Sequence, residues 1–259
     1  MDGYNDIEIT KVAASILSLL GVDYDKSMNA PSDEVLSLGH CDRVFMYNPD
    51  AIAEWVYESY RDMFSPIISN CDLNLEMKSV YPPVTPVCFA SMYSGLSPEK
   101  HGIQRYEKPV LKCRTLFDIL AENGKKVAIV STEGDSISKI FLERDIDYFI
   151  YKTKQECNQK AHELIDQNNH NLIVLYNGDY DWAMHRFSPD GKRSIKALGE
   201  NIETYVEILE HIKKAWRGMR TAVAFSPDHG CHRTYGILGT HGDMCVKDMN
   251  IRHFWTFVC

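Results

Sequence analysis

The chain has 259 residues, with 28 Lys and Arg against 36 Asp and Glu and a formal net charge of −8. That balance, with no Lys/Arg run interleaved with aromatics, excludes a nucleic-acid scaffold partner, since such binding needs a broad basic face. A content of 44% hydrophobic and 25% charged residues excludes disorder as the main state, and the longest apolar stretch, Val12 to Val22, is shorter than the roughly 18 residues of a membrane span.

Met-Asp-Gly-Tyr-Asn-Asp at the start carries no basic leader ahead of an apolar run, so a cytoplasmic location is expected. The eight cysteines (Cys41, Cys71, Cys88, Cys113, Cys157, Cys231, Cys245 and Cys259) are scattered with no Cys-x-x-Cys pair. Free thiols are expected, rather than a disulfide framework or a thiolate zinc site.

In chain order, helical patterns occur at about 7–20, 51–66, 86–94, 114–123, 135–143, 155–168 and 194–217. Runs rich in Val, Ile, Phe and Tyr at Arg43 to Tyr47, Lys126 to Ser131, Tyr148 to Tyr151, Asn171 to Tyr176, Thr221 to Phe225 and Phe254 to Val258 read as strands. This alternation predicts an α/β fold: a doubly wound, mostly parallel central sheet with helices on both faces. A single domain over 1–259 is expected, with 70–81 as a loop or edge insertion. The aromatic-rich segment Glu54-Trp-Val-Tyr-Glu-Ser-Tyr-Arg-Asp-Met-Phe64 reads as core packing.

Ligands of such folds sit beyond the carboxyl ends of the strands. Asp50 follows the first long strand, Asp179 and Asp181 follow the strand ending at Tyr176, and Asp228 and His229 follow the strand ending at Phe225. Asp181 and His185 are four apart, so a helix there would put both on one face, able to grip a cation. Taken alone, such a pair is equally an exposed helix face. Asp228-His229-Gly230 is sharper, because adjacent ligands need an irregular turn for which Gly230 permits unusual backbone angles. His241 lies in Gly-Thr-His-Gly and is otherwise an ordinary loop histidine. Thr85 precedes Pro86, which is favoured at a helix start, so Thr85 is expected at an N-cap, its hydroxyl at the positive end of the helix dipole. His40, His162, His170, His211, His232 and His253 lack partners at ligand spacing and read as surface or structural residues.

Taken together, these motifs resemble the alkaline phosphatase superfamily, and within it the type I phosphodiesterase and nucleotide pyrophosphatase branch. The resemblance runs from Asp50 to His241. It comprises an Asp after the first core strand, Thr85 in a Pro-rich turn leading to Gly95, Pro98 and His101-Gly102-Ile103, then Asp-x-x-x-His, Asp-His-Gly and Gly-Thr-His-Gly. The resemblance implies an alkaline phosphatase-like core and a metal-dependent hydrolase acting on a small-molecule phosphodiester or nucleotide pyrophosphate. It makes Thr85 the nucleophile, forming a phosphothreonine that water then hydrolyses. It assigns Asp181, His185 and His241 to one divalent ion, and Asp50, Asp228 and His229, with the Thr85 oxygen, to a second. Nitrogen and oxygen donors without thiolates suit zinc, with manganese or iron as substitutes, and cations roughly 3.5–4 Å apart would clamp the attacking and leaving oxygens of an in-line displacement. Coordination is also what would activate a threonine hydroxyl, otherwise a poor nucleophile at neutral pH.

There are three departures. The position three after Thr85, often Asn in the branch, is Cys88; as a substrate-binding residue it offers only a weak donor, so an oxyanion would rely on the metals and on backbone N–H groups at the helix start. Ala51 stands where many relatives have Gly. The segment Asp6 to Val22 resembles one that usually follows the last histidine motif, so a circular permutation is expected, with 7–20 packed near 254–258. The alternatives are a phosphomonoesterase or phosphate-transferring mutase on the same scaffold, which would need basic groups for a terminal phosphate, and a catalytically silent metal-binding interaction protein. A sulfatase is excluded, because Cys88 is not followed by x-Pro-x-Arg.

Overall fold

A computed structural model describes residues 3–234 and 238–259. Its strands are β1 (Ile7–Glu8), β2 (Arg43–Pro49), β3 (Leu73–Lys78), β4 (Val127–Thr132), β5 (Asp147–Tyr151), β6 (Leu172–Asn177), β7 (Thr221–Phe225), β8 (His232–Thr234), β9 (Leu238–Thr240) and β10 (Asn250–Val258). The helices are α1 (Lys11–Leu19), α2 (Asp33–Leu36), α3 (Glu54–Ser59), α4 (Ser65–Ile68), α5 (Thr85–Ser94), α6 (Pro98–His101), α7 (Leu116–Glu122), α8 (Ile137–Ile140), α9 (Lys154–Gln167), α10 (Asp179–Phe187), α11 (Lys192–Ala215) and α12 (Val246–Met249).

Eight strands form one sheet in the order β1-β3-β10-β7-β2-β6-β4-β5, while β8 and β9 make a separate ribbon. Within the large sheet only β10 runs against its neighbours; every other pairing is parallel. Successive strand residues point to opposite faces, and both faces are covered. Val44, Met46, Val174, Ala222 and Ala224 join a core with α1, α5 and α7, whereas Phe45, Tyr47, Leu175, Val223 and Phe225 join a second core with α9 and α11. Burial on both sides is why these strands read as continuous apolar runs.

The fold is therefore the expected mostly parallel α/β sheet with helices on both faces. The largest difference from expectation lies in the 70–81 segment. Residues 73–78 are not a loop: β3 pairs with β1 on one side and β10 on the other, so it is a full member of the sheet. The aromatic segment packs inward as expected, with the Tyr57, Phe64 and Phe254 rings in contact over the sheet. The N-terminal segment lies near the C-terminal strand: Lys11, Val12 and Ser15 line one small gap with Trp255, and the Asn5 N–H donates to Asn250 Oδ1 at 3.1 Å, a proximity that a permutation needs and that an unrelated N-terminal helix shares. Among the described residues, no helix is long and apolar enough to cross a membrane.

Candidate active site

The carboxyl ends of β2, β6 and β7 lie side by side in the sheet and bring their following residues to one rim. Asp50 leaves β2 with its N–H donating to Asn177 O at 3.0 Å. Ala51, next in the chain, has φ +62°, and its N–H donates to Asp228 Oδ1 at 3.3 Å. That left-handed backbone is the physical reason glycine suits the position. Gly230 serves differently from expectation. Its φ is not positive; instead a Cβ there would lie 2.1 Å from Lys247 O and 2.8 Å from Ala53 Cβ. It is needed for close backbone approach.

Thr85 is the first residue of α5 and Val84, with extended backbone, caps it, one position before the expected cap. The Thr85 hydroxyl is thus not spent on capping. Its Oγ1 lies 3.3 Å from Asp50 Oδ2 and 3.3 Å from His229 Nε2. Asp181 and His185 share one face of α10, and His241 follows β9.

The structure gathers these side chains into two groups, Asp181 with His185 and His241, and Asp50 with Asp228 and His229. The groups adjoin, with the His229 and His241 rings 4.1 Å apart. In all three imidazoles Nδ1–H is directed to a backbone carbonyl: His185 to Gly239 at 3.1 Å, His229 to Gly230 at 2.9 Å and His241 to Pro83 at 3.0 Å. That fixes the tautomer with the Nε2 lone pair turned inward, as metal-ligating histidines require. Those Nε2 atoms face carboxylates, His185 and His241 at 3.2 and 3.3 Å from Asp181 Oδ1, and His229 at 3.4 Å from both Asp50 and Asp228. Asp181 Oδ1 and Asp228 Oδ2 are buried with no hydrogen-bond partner. Lone pairs facing lone pairs in a buried site form a donor set that fits cations.

The electrostatics agree. Burial, reinforced by the charge of Asp181, pushes the Asp50 carboxyl up to about 7, and burial with Asp50 nearby raises Asp228 well above the usual range. Burial also opposes ionisation of Asp181, but His185 and His241 outweigh it and hold its carboxyl low. Burial, then the neighbouring His241, push the His229 imidazole far down. A cluster of three carboxylates this dry is costly without positive charge to balance it.

The site opens into a cleft of about 500 Å³ whose lining includes Asp50, Thr85, Tyr176, Asp181 and His185. Cationic side chains that the sequence alone does not place also line it: Lys108, Lys152, Lys154 and Arg186. Lys154 is paired with Asp179 and Glu200, and Arg186 lies over the exposed Trp182 ring at 4.2 Å. Tyr176 was also missed by sequence reasoning; its hydroxyl donates to Asp50 Oδ2. Gly178 leaves room for it, since a Cβ there would come within 2.7 Å of that hydroxyl. The conjunction of a tyrosine at a strand end with a glycine two residues on is the one sequence signal for this pair.

One expectation for substrate contacts is corrected and another is narrowed. Cys88 does not reach the cleft: it is fully buried, its Sγ 3.0 Å from Ser79 Oγ, and burial drives its thiol far up. Of the backbone donors expected at the α5 start, only the Thr85 N–H is not engaged within the helix. Pro86 has no N–H, and the N–H groups of Val87 and Cys88 both donate to Val84 O at 3.0 Å. His101 braces its loop, with Nε2 2.9 Å from Ser91 Oγ and Nδ1 accepting the Ile103 N–H at 3.2 Å.

A mostly parallel sheet with helices on both faces, two adjoining Asp/His groups and a threonine at a helix start is the arrangement that the resemblance read from the sequence implies. The type I phosphodiesterase / nucleotide pyrophosphatase family model matches residues 49–112, the segment from the end of β2 past α6. The chain is similar to murine ectonucleotide pyrophosphatase / phosphodiesterase 5 solved with AMP, at 15% identity over 74% of this chain and 58% of that one, TM-score 0.59. The human counterpart gives 16% identity, 74% and 57% coverage, and TM-score 0.58. Phosphonoacetate hydrolase from Sinorhizobium meliloti, in complex with phosphonoformate, gives 14% identity, 73% and 56% coverage, and TM-score 0.56. At these identities the likeness is one of fold, and the chain spans less than three fifths of the length of each of these structures. No curated protein matches the chain.

Proposed function

We propose that this chain is a two-metal phosphoesterase that hydrolyses a small-molecule phosphodiester or nucleotide pyrophosphate through Thr85. The observation that carries this reading is the Thr85 hydroxyl, 3.3 Å from Asp50 Oδ2 and from His229 Nε2, at the wall of a cleft between two Asp/His groups. Asp181, His185 and His241 would hold one divalent ion, and Asp50, Asp228 and His229 the second beside Thr85 Oγ1. Zinc is the proposed ion, since the donors are nitrogen and oxygen. When bound, such ions supply positive charge for the phosphoryl oxygens and acidify a hydroxyl or water.

The chain's own residues do the rest. The Thr85 hydroxyl lies against Asp50 Oδ2 and His229 Nε2; acidified by an ion held on those atoms, it would pass its proton to water in the open cleft. Tyr176 holds Asp50 in orientation, and the three Nδ1–H bonds keep the imidazoles from rotating. Attack by Oγ1 breaks the bond from phosphorus to the leaving oxygen and forms a phosphothreonine; attack of water on that phosphorus restores the hydroxyl and releases phosphate or a phosphate ester. All eight cysteines are free thiols, which supports the reducing compartment of a cytoplasmic protein.

A second reading, a phosphomonoesterase or phosphoryl-transferring mutase, draws support from the cleft itself, because Lys108, Lys152, Lys154 and Arg186 provide cationic groups for a terminal phosphate. Rates on bis-p-nitrophenyl phosphate and on p-nitrophenyl phosphate separate the two. A preference for the diester supports the first reading; a preference for the monoester assigns the second.

A further inference from the structure

The ribbon after β7 carries a third group of donors, apart from the two already described. His232, Cys245 and Asp248 each offer one ligand atom, and the three atoms lie within 4.8 Å of one another. We propose that they form a third transition-metal site, structural in purpose and zinc-type in chemistry, which ties the loop bearing His241 to the strand that follows His229.

The geometry arises from two local features. Cys245, with extended backbone, caps the short helix α12, and its carbonyl accepts the N–H groups of Asp248 and Met249 at 3.1 and 3.0 Å. Cys245 and Asp248 are therefore three apart on one turn and face the same way. His232 opens β8, whose pairing with β9 puts it opposite Thr240, next to His241. His232 Nδ1 lies 2.7 Å from Asp248 Oδ1, and its Nε2 lies 3.4 Å from Asp243 Oδ2.

This is the donor arrangement of a bound cation with its orienting partner. Ligation through Nδ1 moves the ring proton to Nε2, where the Asp243 carboxylate receives it as a hydrogen-bond acceptor, the usual support for a ligating imidazole. The Cys245 thiol gives up its proton to solvent and binds as thiolate. Donors about 2.0–2.3 Å from a tetrahedral ion are roughly 3.3–3.7 Å apart, so the His232 and Asp248 atoms need to separate by about 0.6–1 Å, within reach of a side-chain rotation. Mixed sulfur, nitrogen and oxygen donors select zinc-like ions over calcium or magnesium, which take oxygen alone. The Asp248 side chain is fully buried, its Oδ2 accepts the Asp243 N–H at 2.9 Å, and its backbone carbonyl accepts the Gly230 N–H at 2.7 Å. An ion on Asp248 would thereby pin both loops that deliver His229 and His241.

Cobalt(II) reports on this site separately from the paired one, because only a thiolate ligand gives an intense sulfur-to-cobalt charge-transfer band in the near ultraviolet, and neither Asp/His group contains sulfur. The full chain, stripped with chelator and titrated with cobalt(II), is expected to take up one ion more than the paired site holds and to develop that band. Cys245→Ser is expected to lose the band and one ion per chain; His232→Ala should do the same. A parent protein without the band at saturating cobalt, or a band that survives in Cys245→Ser, overturns the proposal. The band is read without substrate, so its outcome is independent of whether the chain hydrolyses phosphate esters.

Discussion

The hydroxyl of Tyr176 donates a hydrogen bond to Oδ2 of Asp50 from beneath, inside a fully dry part of the rim. Tyr176 lines the cleft and fixes which lone pairs of Asp50 face Thr85 and His229. Outer partners of this kind typically alter metal affinity by ~10–100-fold. Tyr176→Phe is therefore expected to fold normally, to weaken zinc retention by about that factor in a chelator competition, and to slow turnover. Unchanged retention and turnover would leave Tyr176 as packing only.

Gly230 links the adjacent ligands to the fold through contact rather than through backbone freedom. A methyl group there would meet Lys247 O at 2.1 Å, and backbone does not yield as a flexible side chain does. Gly230→Ala is expected to lower stability by ~2 kcal/mol or more in urea unfolding and to displace His229, with loss of activity. A variant as stable as the parent would refute the close-approach account.

Cys88, buried against Ser79, predicts the opposite pattern. Cys88→Ala is expected to cost roughly 1 kcal/mol through a small cavity while leaving KM unchanged. A raised KM with unchanged stability would return Cys88 to the substrate pocket.

His253 on β10 is fully buried, with Nε2 2.8 Å from Pro227 O, and burial pushes its imidazole down to about 4. The unfolded imidazole titrates near 6.5, so below that pH the unfolded chain binds a proton that the folded chain refuses. The stability that His253 contributes is therefore present above about pH 6.5 and is lost as pH falls toward 4, by on the order of 3 kcal/mol. His101, also lowered to about 4 by burial, acts in the same direction. His253→Gln is expected to flatten the pH dependence of urea midpoints over this range; an unaltered slope would exclude the assignment.

The fold was legible wherever burial on both faces made strands read as apolar runs, as in β2, β6 and β7. β3 was not, although its Leu73, Leu75 and Met77 alternate with Asn74, Glu76 and Lys78; a half-exposed strand carries a period of two rather than a run. The acids and imidazoles of the rim were legible because each stands just past a strand end or in a short motif. Tyr176 was not, since its partner is 126 residues away in sequence and its own neighbours are core residues. The His232 group was hidden for the same reason: it depends on the β8–β9 ribbon folding back, and a lone Cys245 carries no spacing to read. The cleft lysines come from two distant stretches, Lys108 from one loop and Lys152 and Lys154 from the β5–α9 junction, so their convergence is not visible in sequence.

The central claim is that Thr85 Oγ1 attacks phosphorus beside two metal-binding groups. Its most direct test is turnover of bis-p-nitrophenyl phosphate by zinc-loaded Thr85→Ala, with metal content measured on the same sample. The account predicts that hydrolysis falls to background while the variant keeps the parent's metal content and fold. Hydrolysis that persists in a variant with its metals intact would contradict it.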